Sequence, residues 1–120
     1  MNALDVVTLV VALEHVGFLV LEMFLWTKPV GRKVFRTSPE FAEESAALAA
    51  NQGLYNGFLA AGLAWGTLHP DPLLGRQVQL FFLACVAAAG IMGALTVSRR
   101  IFLIQSLPAL LGLALGLFRR

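Results

Sequence analysis

Apolar residues along this chain neither alternate nor keep to a single helical stripe. They fill four long blocks, residues 4–26, 41–65, 73–97 and 101–118, parted by short polar stretches. Each block comes close to the about 20 residues that a helix needs to cross the hydrocarbon core of a bilayer. Only helices and closed barrels satisfy every backbone donor and acceptor in lipid. The blocks are rich in Leu and Ala and lack the period-two pattern of strands, so they read as helices. The pattern predicts an all-α fold, an integral membrane four-helix antiparallel bundle made by a single domain over residues 1–120. Ser38-Pro39 and Asp71-Pro72 each place an N-cap before a proline at the first helical position. His69-Pro70 and Ser98-Arg99-Arg100 mark turns short enough to make consecutive helices antiparallel neighbours, and residues 27–37 form the one substantial loop.

Composition strengthens this reading. The chain is 58% hydrophobic and 13% charged, whereas a soluble domain carries about 25% charged residues to keep its surface wet. No basic stripe interleaves with aromatics, so nucleic acid is not an expected partner. Cys85 is the one cysteine, which excludes an internal disulfide, and its apolar surroundings suggest an inert thiol. The first apolar run carries Glu14, His15 and Glu22, without a basic segment before it or a small-residue cleavage site. It is expected to be a retained span and not a signal peptide. Six of the nine basic residues lie in the first and third connections: Lys28, Arg32, Lys33, Arg36, Arg99 and Arg100. Arg76, Arg119 and Arg120 lie on the other side. The balance predicts both termini outside and the long loop in the cytoplasm, in a multi-pass protein of a bacterial inner membrane.

Helices in lipid associate through close packing, and small residues permit it. Ala46, Ala49, Gly53, Gly57, Ala60 and Ala64 form one narrow stripe on the second helix. Ala87, Gly90 and Ala94 repeat it on the third, and Ala109, Gly112 and Gly116 on the fourth. These seams either close the bundle or join two copies into a homodimer.

The remaining signal is polar. Glu14 and His15 fall near the middle of the first span, and Glu22 about 10 Å further toward its cytoplasmic end. His15, Glu22 and Trp26 share a stripe. A charged side chain at mid-bilayer costs roughly 3 kcal/mol, so such groups are expected to meet polar partners or a water-filled cavity. Asn51, Gln52, Tyr55 and Asn56 span about 140° of the second helix and offer those partners at matching depth. Gln105 on the fourth helix reaches a similar depth. The expected site therefore contains Glu22, Glu14 and His15 as proton-handling groups. Asn51, Gln52, Tyr55, Asn56, Trp26 and Gln105 would orient a ligand around one cavity opening inward. Interhelical glue is the plain alternative for the same amides and tyrosine. No metal site is expected: His15 and Glu22 are too far apart to share an ion, and Cys85 has no companion ligand. No motif calls for a cofactor, since phosphate loop, nucleophile elbow and paired cysteines are all missing.

The strings Glu14-His15-Val16-Gly17-Phe18, Leu21-Glu22-Met23-Phe24-Leu25-Trp26, Asn51-Gln52-Gly53-Leu54-Tyr55-Asn56-Gly57, Ala89-Gly90-Ile91-Met92-Gly93-Ala94 and Gln105-Ser106-Leu107-Pro108-Ala109 resemble one family. It is a family of small four-span membrane proteins, bacterial and fungal, catalogued as a domain of unknown function. The likeness covers nearly the whole chain. It implies the four-span fold and makes the polar strings the family's signature, and it brings no activity. Glu14 also matches the first-span glutamate of small multidrug-resistance transporters, which is similarity of one position and no more.

Three functions fit these residues. The leading one is a membrane-embedded acid–base site that binds a lipophilic small molecule and moves protons on it, as an isomerase or hydrolase would. The second is a proton-coupled exporter built on Glu14, and the third a non-enzymatic lipid-binding or assembly protein. Membrane lipid is a partner in all three. An exporter needs its carboxylate reachable from both faces, an enzyme needs one opening, and glue needs none.

Overall fold

The structure is a computed structural model that describes residues 1–118; Arg119 and Arg120, used above in the charge balance, lie outside the described residues. Among those residues the chain is all-helical, without strands. Its helices are α1 (Ala3–Met23), α2 (Pro29–Phe35), α3 (Pro39–Leu68), α4 (Pro72–Thr96), α5 (Arg99–Ile101) and α6 (Leu107–Phe118). A π turn over Phe102–Ser106 joins α5 to α6. Three helical stretches are long and apolar enough to cross a membrane: Ala3–Met23, Pro72–Thr96 and Arg99–Phe118. Helix α3 is the longest, at 30 residues, but its acidic first turns and its amides make it the least apolar of the long helices.

The helix starts follow from capping chemistry. The Ser38 hydroxyl accepts from Phe41 N–H at 3.1 Å at the head of α3. Asp71 Oδ1 accepts from Leu73 and Leu74 N–H at 2.9 and 3.2 Å at the head of α4. Two features depart from the sequence reading. The loop over residues 27–37 contains α2, nucleated by a proline in its first turn and closed by Arg36 in the left-handed region at φ 56°. It folds back tightly, for a Cβ on Gly31 would collide with the Leu25 carbonyl, so only glycine fits there. The last span is not a regular helix either. Pro108 has no N–H for the Ile104 carbonyl, and the widened turn just before it takes up that break.

The chain forms two compact units, residues 14–58 and residues 1–13 with 59 onward. In the first, α1 and α3 run antiparallel along the predicted small-residue stripe. A Cβ on Gly53 would stand 2.7 Å from Met23 Cγ and 3.3 Å from the Leu19 carbonyl oxygen. In the second, Leu4, Val11, Ala12, Leu63, Leu83, Val86, Ala87 and Ala109 make one apolar core. Ala109, Gly112 and Gly116 of α6 are all buried, and Gly112 packs on Leu83 and Val7. Ser106 Oγ donates to the Ala87 carbonyl at 2.8 Å, which locks the π turn onto α4.

Candidate functional site

Within the first unit the helix-one stripe meets the edge of the α3 small-residue seam. Seven residues back from α1's last turn, His15 is fully buried and packs edge-on against Phe18, with ring centroids 5.2 Å apart. Glu22, 9% exposed, accepts from Asn56 Nδ2 at 2.5 Å. Asn56 is itself buried beside Gly53 and Ala60 on the packed side of α3. Glu14 is half-buried, and its Oε1 is buried without a hydrogen-bond partner.

The other expected members are not drawn in. Asn51, Gln52 and Tyr55 are exposed, Tyr55 by 55%, with its ring against Phe58 of the same helix. The physical reason lies in α3 itself. Its small-residue stripe and its polar face point in nearly opposite directions, so only one can pack on α1. Close backbone approach favours the glycine side, and of the four polar residues only Asn56 stands near enough to that side to follow it. Trp26 lies beyond the end of α1, so the stripe stops short of it. Its indole Nε1 donates to Ser45 Oγ at 3.0 Å, and its ring meets Phe35 of α2 at 4.8 Å. Trp26 pins the α2 segment. Gln105 belongs to the second unit, half-buried on the π turn, where its Cβ faces Gly90. Neither of the two cavities described in the structure is lined by the expected set.

A second polar set escaped the sequence reading. Gln79, 3% exposed, lies two turns inside α4. Its Nε2 donates to Asp5 Oδ1 at 2.9 Å and to Thr67 Oγ1 at 3.1 Å. Arg76, one turn earlier, donates through Nη2 to the Gly116 carbonyl, while its buried Nε has no partner. These residues line a cleft of about 500 Å³ at the α1 start, the α3 end and the α4 start. The available signal was a pair of glutamines, Gln77 and Gln79, inside an otherwise apolar stretch of α4. In the sequence, Arg76 enters only the charge balance and His69 only a turn.

Among the described residues no three His, Cys, Asp or Glu side chains cluster as metal ligands would. The sequence pattern described as "Protein of unknown function (DUF1304)" matches residues 9–117. The chain belongs to this family. It is similar to the uncharacterized protein YpaA of Lactococcus lactis subsp. lactis (strain IL1403), with 30% identity over 115 residues, 94% of this chain and 95% of that protein. No solved structure matches.

Proposed function

We propose that this DUF1304 chain is a four-span integral membrane protein whose intramembrane Glu14 binds the polar end of a lipophilic small molecule and exchanges a proton with it. In this reading α3 is the fourth span, both termini face outside, and the helices close as an antiparallel bundle in a bacterial inner membrane. The observation that carries it is the carboxyl oxygen of Glu14, buried and unpartnered near the middle of a helix long and apolar enough to cross a membrane. A buried polar group left without a partner costs about 1–3 kcal/mol, and a carboxyl at that depth marks a functional site by default. Glu22 is placed differently, because Asn56 already engages it. It ties α1 to α3 and sets the frame within which His15 and Glu14 act. An isomerase or a hydrolase of a weakly polar lipophile is the matching reaction class.

One observation favours a second reading, assembly without catalysis. The direct Glu22–Asn56 bond is interhelical glue, and Asn51, Gln52 and Tyr55 face outward at the middle of α3. In a bilayer those groups would find partners on a second copy, giving a homodimer. The two readings part at Glu14→Gln. Mass spectrometry of gently extracted protein should find a co-purifying small molecule that this variant loses while its melting in detergent stays the same. If Glu14→Gln instead leaves any bound molecule in place, while Asn51→Ala lowers the dimer fraction, assembly is the function.

A further inference from the structure

The link between α1 and α3 is both basic and folded. Lys28, Arg32, Lys33 and Arg36 fall between Thr27 and Thr37, with no acidic residue among them. Glu40, Glu43 and Glu44 follow on α3, and among the described residues none of them is ion-paired with Lys28, Lys33 or Arg36. Those three cations are exposed.

The charge is carried on a helix held in one place. Residues 24–28 alone separate the end of α1 at Met23 from the start of α2 at Pro29. Trp26, within that link, holds α2 through Phe35 at 4.8 Å and α3 through Ser45 at 3.0 Å. Gly31 closes the fold-back against the Leu25 carbonyl. Helix α1 is long and apolar enough to cross a membrane, so a helix tied this closely to its end stands at headgroup level and not out in water. An indole is enriched at that level.

The sides of α2 differ. At about 100° per residue, Gly31 and Phe35 form the side packed on the link. Val30 and Val34, 49% and 38% exposed, form a second face on one flank. Arg32 and Arg36 fall on the opposite flank, and Lys33 lies about 80° from the valines. Its long side chain can therefore lie along the edge of an apolar surface that the valines enter. An apolar stripe bordered by cations is the build of a helix lying in the membrane interface. Four cations without an acidic neighbour in the segment favour an anionic surface over a zwitterionic one.

We infer that α2 docks on the bilayer beside the end of α1, with Val30 and Val34 at the boundary of headgroups and acyl chains and Lys33 on the phosphate of an anionic lipid. The inference rests on α1 crossing the membrane and is independent of what Glu14 binds.

The test uses the full chain, with Cys85 replaced by Ala, in vesicles of phosphatidylcholine alone or mixed with phosphatidylglycerol. A nitroxide on a cysteine at Val30 or at Leu13 reports access to oxygen, which enters the bilayer, against access to a water-soluble nickel chelate. The Val30 label should favour oxygen in the mixed vesicles and move toward the chelate in phosphatidylcholine alone or at high salt, which screens surface charge. In native mass spectrometry, Lys33→Gln should lower the preference for phosphatidylglycerol over phosphatidylcholine about fivefold, the scale of one interfacial cation. Lys33→Arg should keep it. The Leu13 label reads the span itself: if the chelate reaches it, α1 does not cross, and docking falls with the span. With Leu13 dry, equal chelate access to Val30 in both vesicle types would overturn docking alone. So would an unchanged lipid preference in Lys33→Gln, or a Val30 label shielded from both reagents and broadened by a second label, which would put another copy on that face.

Discussion

Glu14 and Glu22 sit on the same helix and meet different surroundings. Glu22 accepts from Asn56, while one oxygen of Glu14 is buried without a partner. Asn56→Leu should therefore destabilise the protein by about 1–3 kcal/mol, because it leaves a buried carboxyl unpaired. Glu22→Gln keeps shape and acceptor and should lose less. A double-mutant cycle on detergent melting reads the coupling directly, and a zero coupling energy would deny that the pair is a tie. The glycines give a second contrast at this scale. A methyl on Gly53 meets first the side-chain carbons Met23 Cγ and Glu22 Cβ, whereas one on Gly66 meets the backbone of Gln79 and Gly75 within 3.0 Å. Gly66→Ala should thus lower the melting temperature more than Gly53→Ala. Overpacking that only a backbone shift can relieve typically costs about 1–3 kcal/mol. The charged residues of the first span were legible in the sequence, since a carboxyl and an imidazole inside an apolar run stand out. Which of them would be paired was not, because pairing depends on the few degrees of helix rotation that bring Asn56 inward and leave Asn51 and Gln52 outside.

Among the elements, helix α3 carries the sharpest conflict in the chain. Its stripe of alanine and glycine and its polar face both ask to be packed, and α1 satisfies only the stripe. The helix itself was legible from Ser38-Pro39 and its capping, and so was the seam. Its outward polar face was not, because one sequence does not say which of two competing faces meets a neighbour. If that face joins two copies, cysteine in place of Asn51, with Cys85 replaced by Ala, should cross-link across the dimer in membranes. A cysteine at Gly53 should not. Cross-linking at Gly53 alone would place the dimer seam on the stripe and contradict the packing described here. Two further elements left little trace. Helix α2 is short and lies in a run of basic residues that reads as loop, its helical character resting on Pro29 and on the contact of Gly31 with the Leu25 carbonyl. The π turn before Pro108 is one extra residue in a helical turn, which apolar periodicity does not register.

Across the whole molecule, the apolar blocks alone announce membrane-length helices, and the family match covers residues 9–117. The basic residues of the connections predict a topology with the long loop in the cytoplasm. A cysteine at Lys33, with Cys85 replaced, should react with an impermeant maleimide only after cells are opened; reaction in intact cells would reverse the orientation. Glu14 is proposed as an intramembrane carboxyl that a lipophile reaches, and carbodiimide chemistry probes it. A lipophilic carbodiimide partitions into the bilayer and forms a stable adduct with carboxyl groups it reaches there, whereas a water-soluble one reaches only wet carboxyls. Peptide mass spectrometry of membranes treated with each reagent is the decisive measurement. Glu14 as such a carboxyl is expected to be modified by the lipophilic reagent alone, with Glu22 held by Asn56 until Asn56→Leu frees it. Modification of Glu14 by the water-soluble reagent, or none at Glu14 by either, would contradict it.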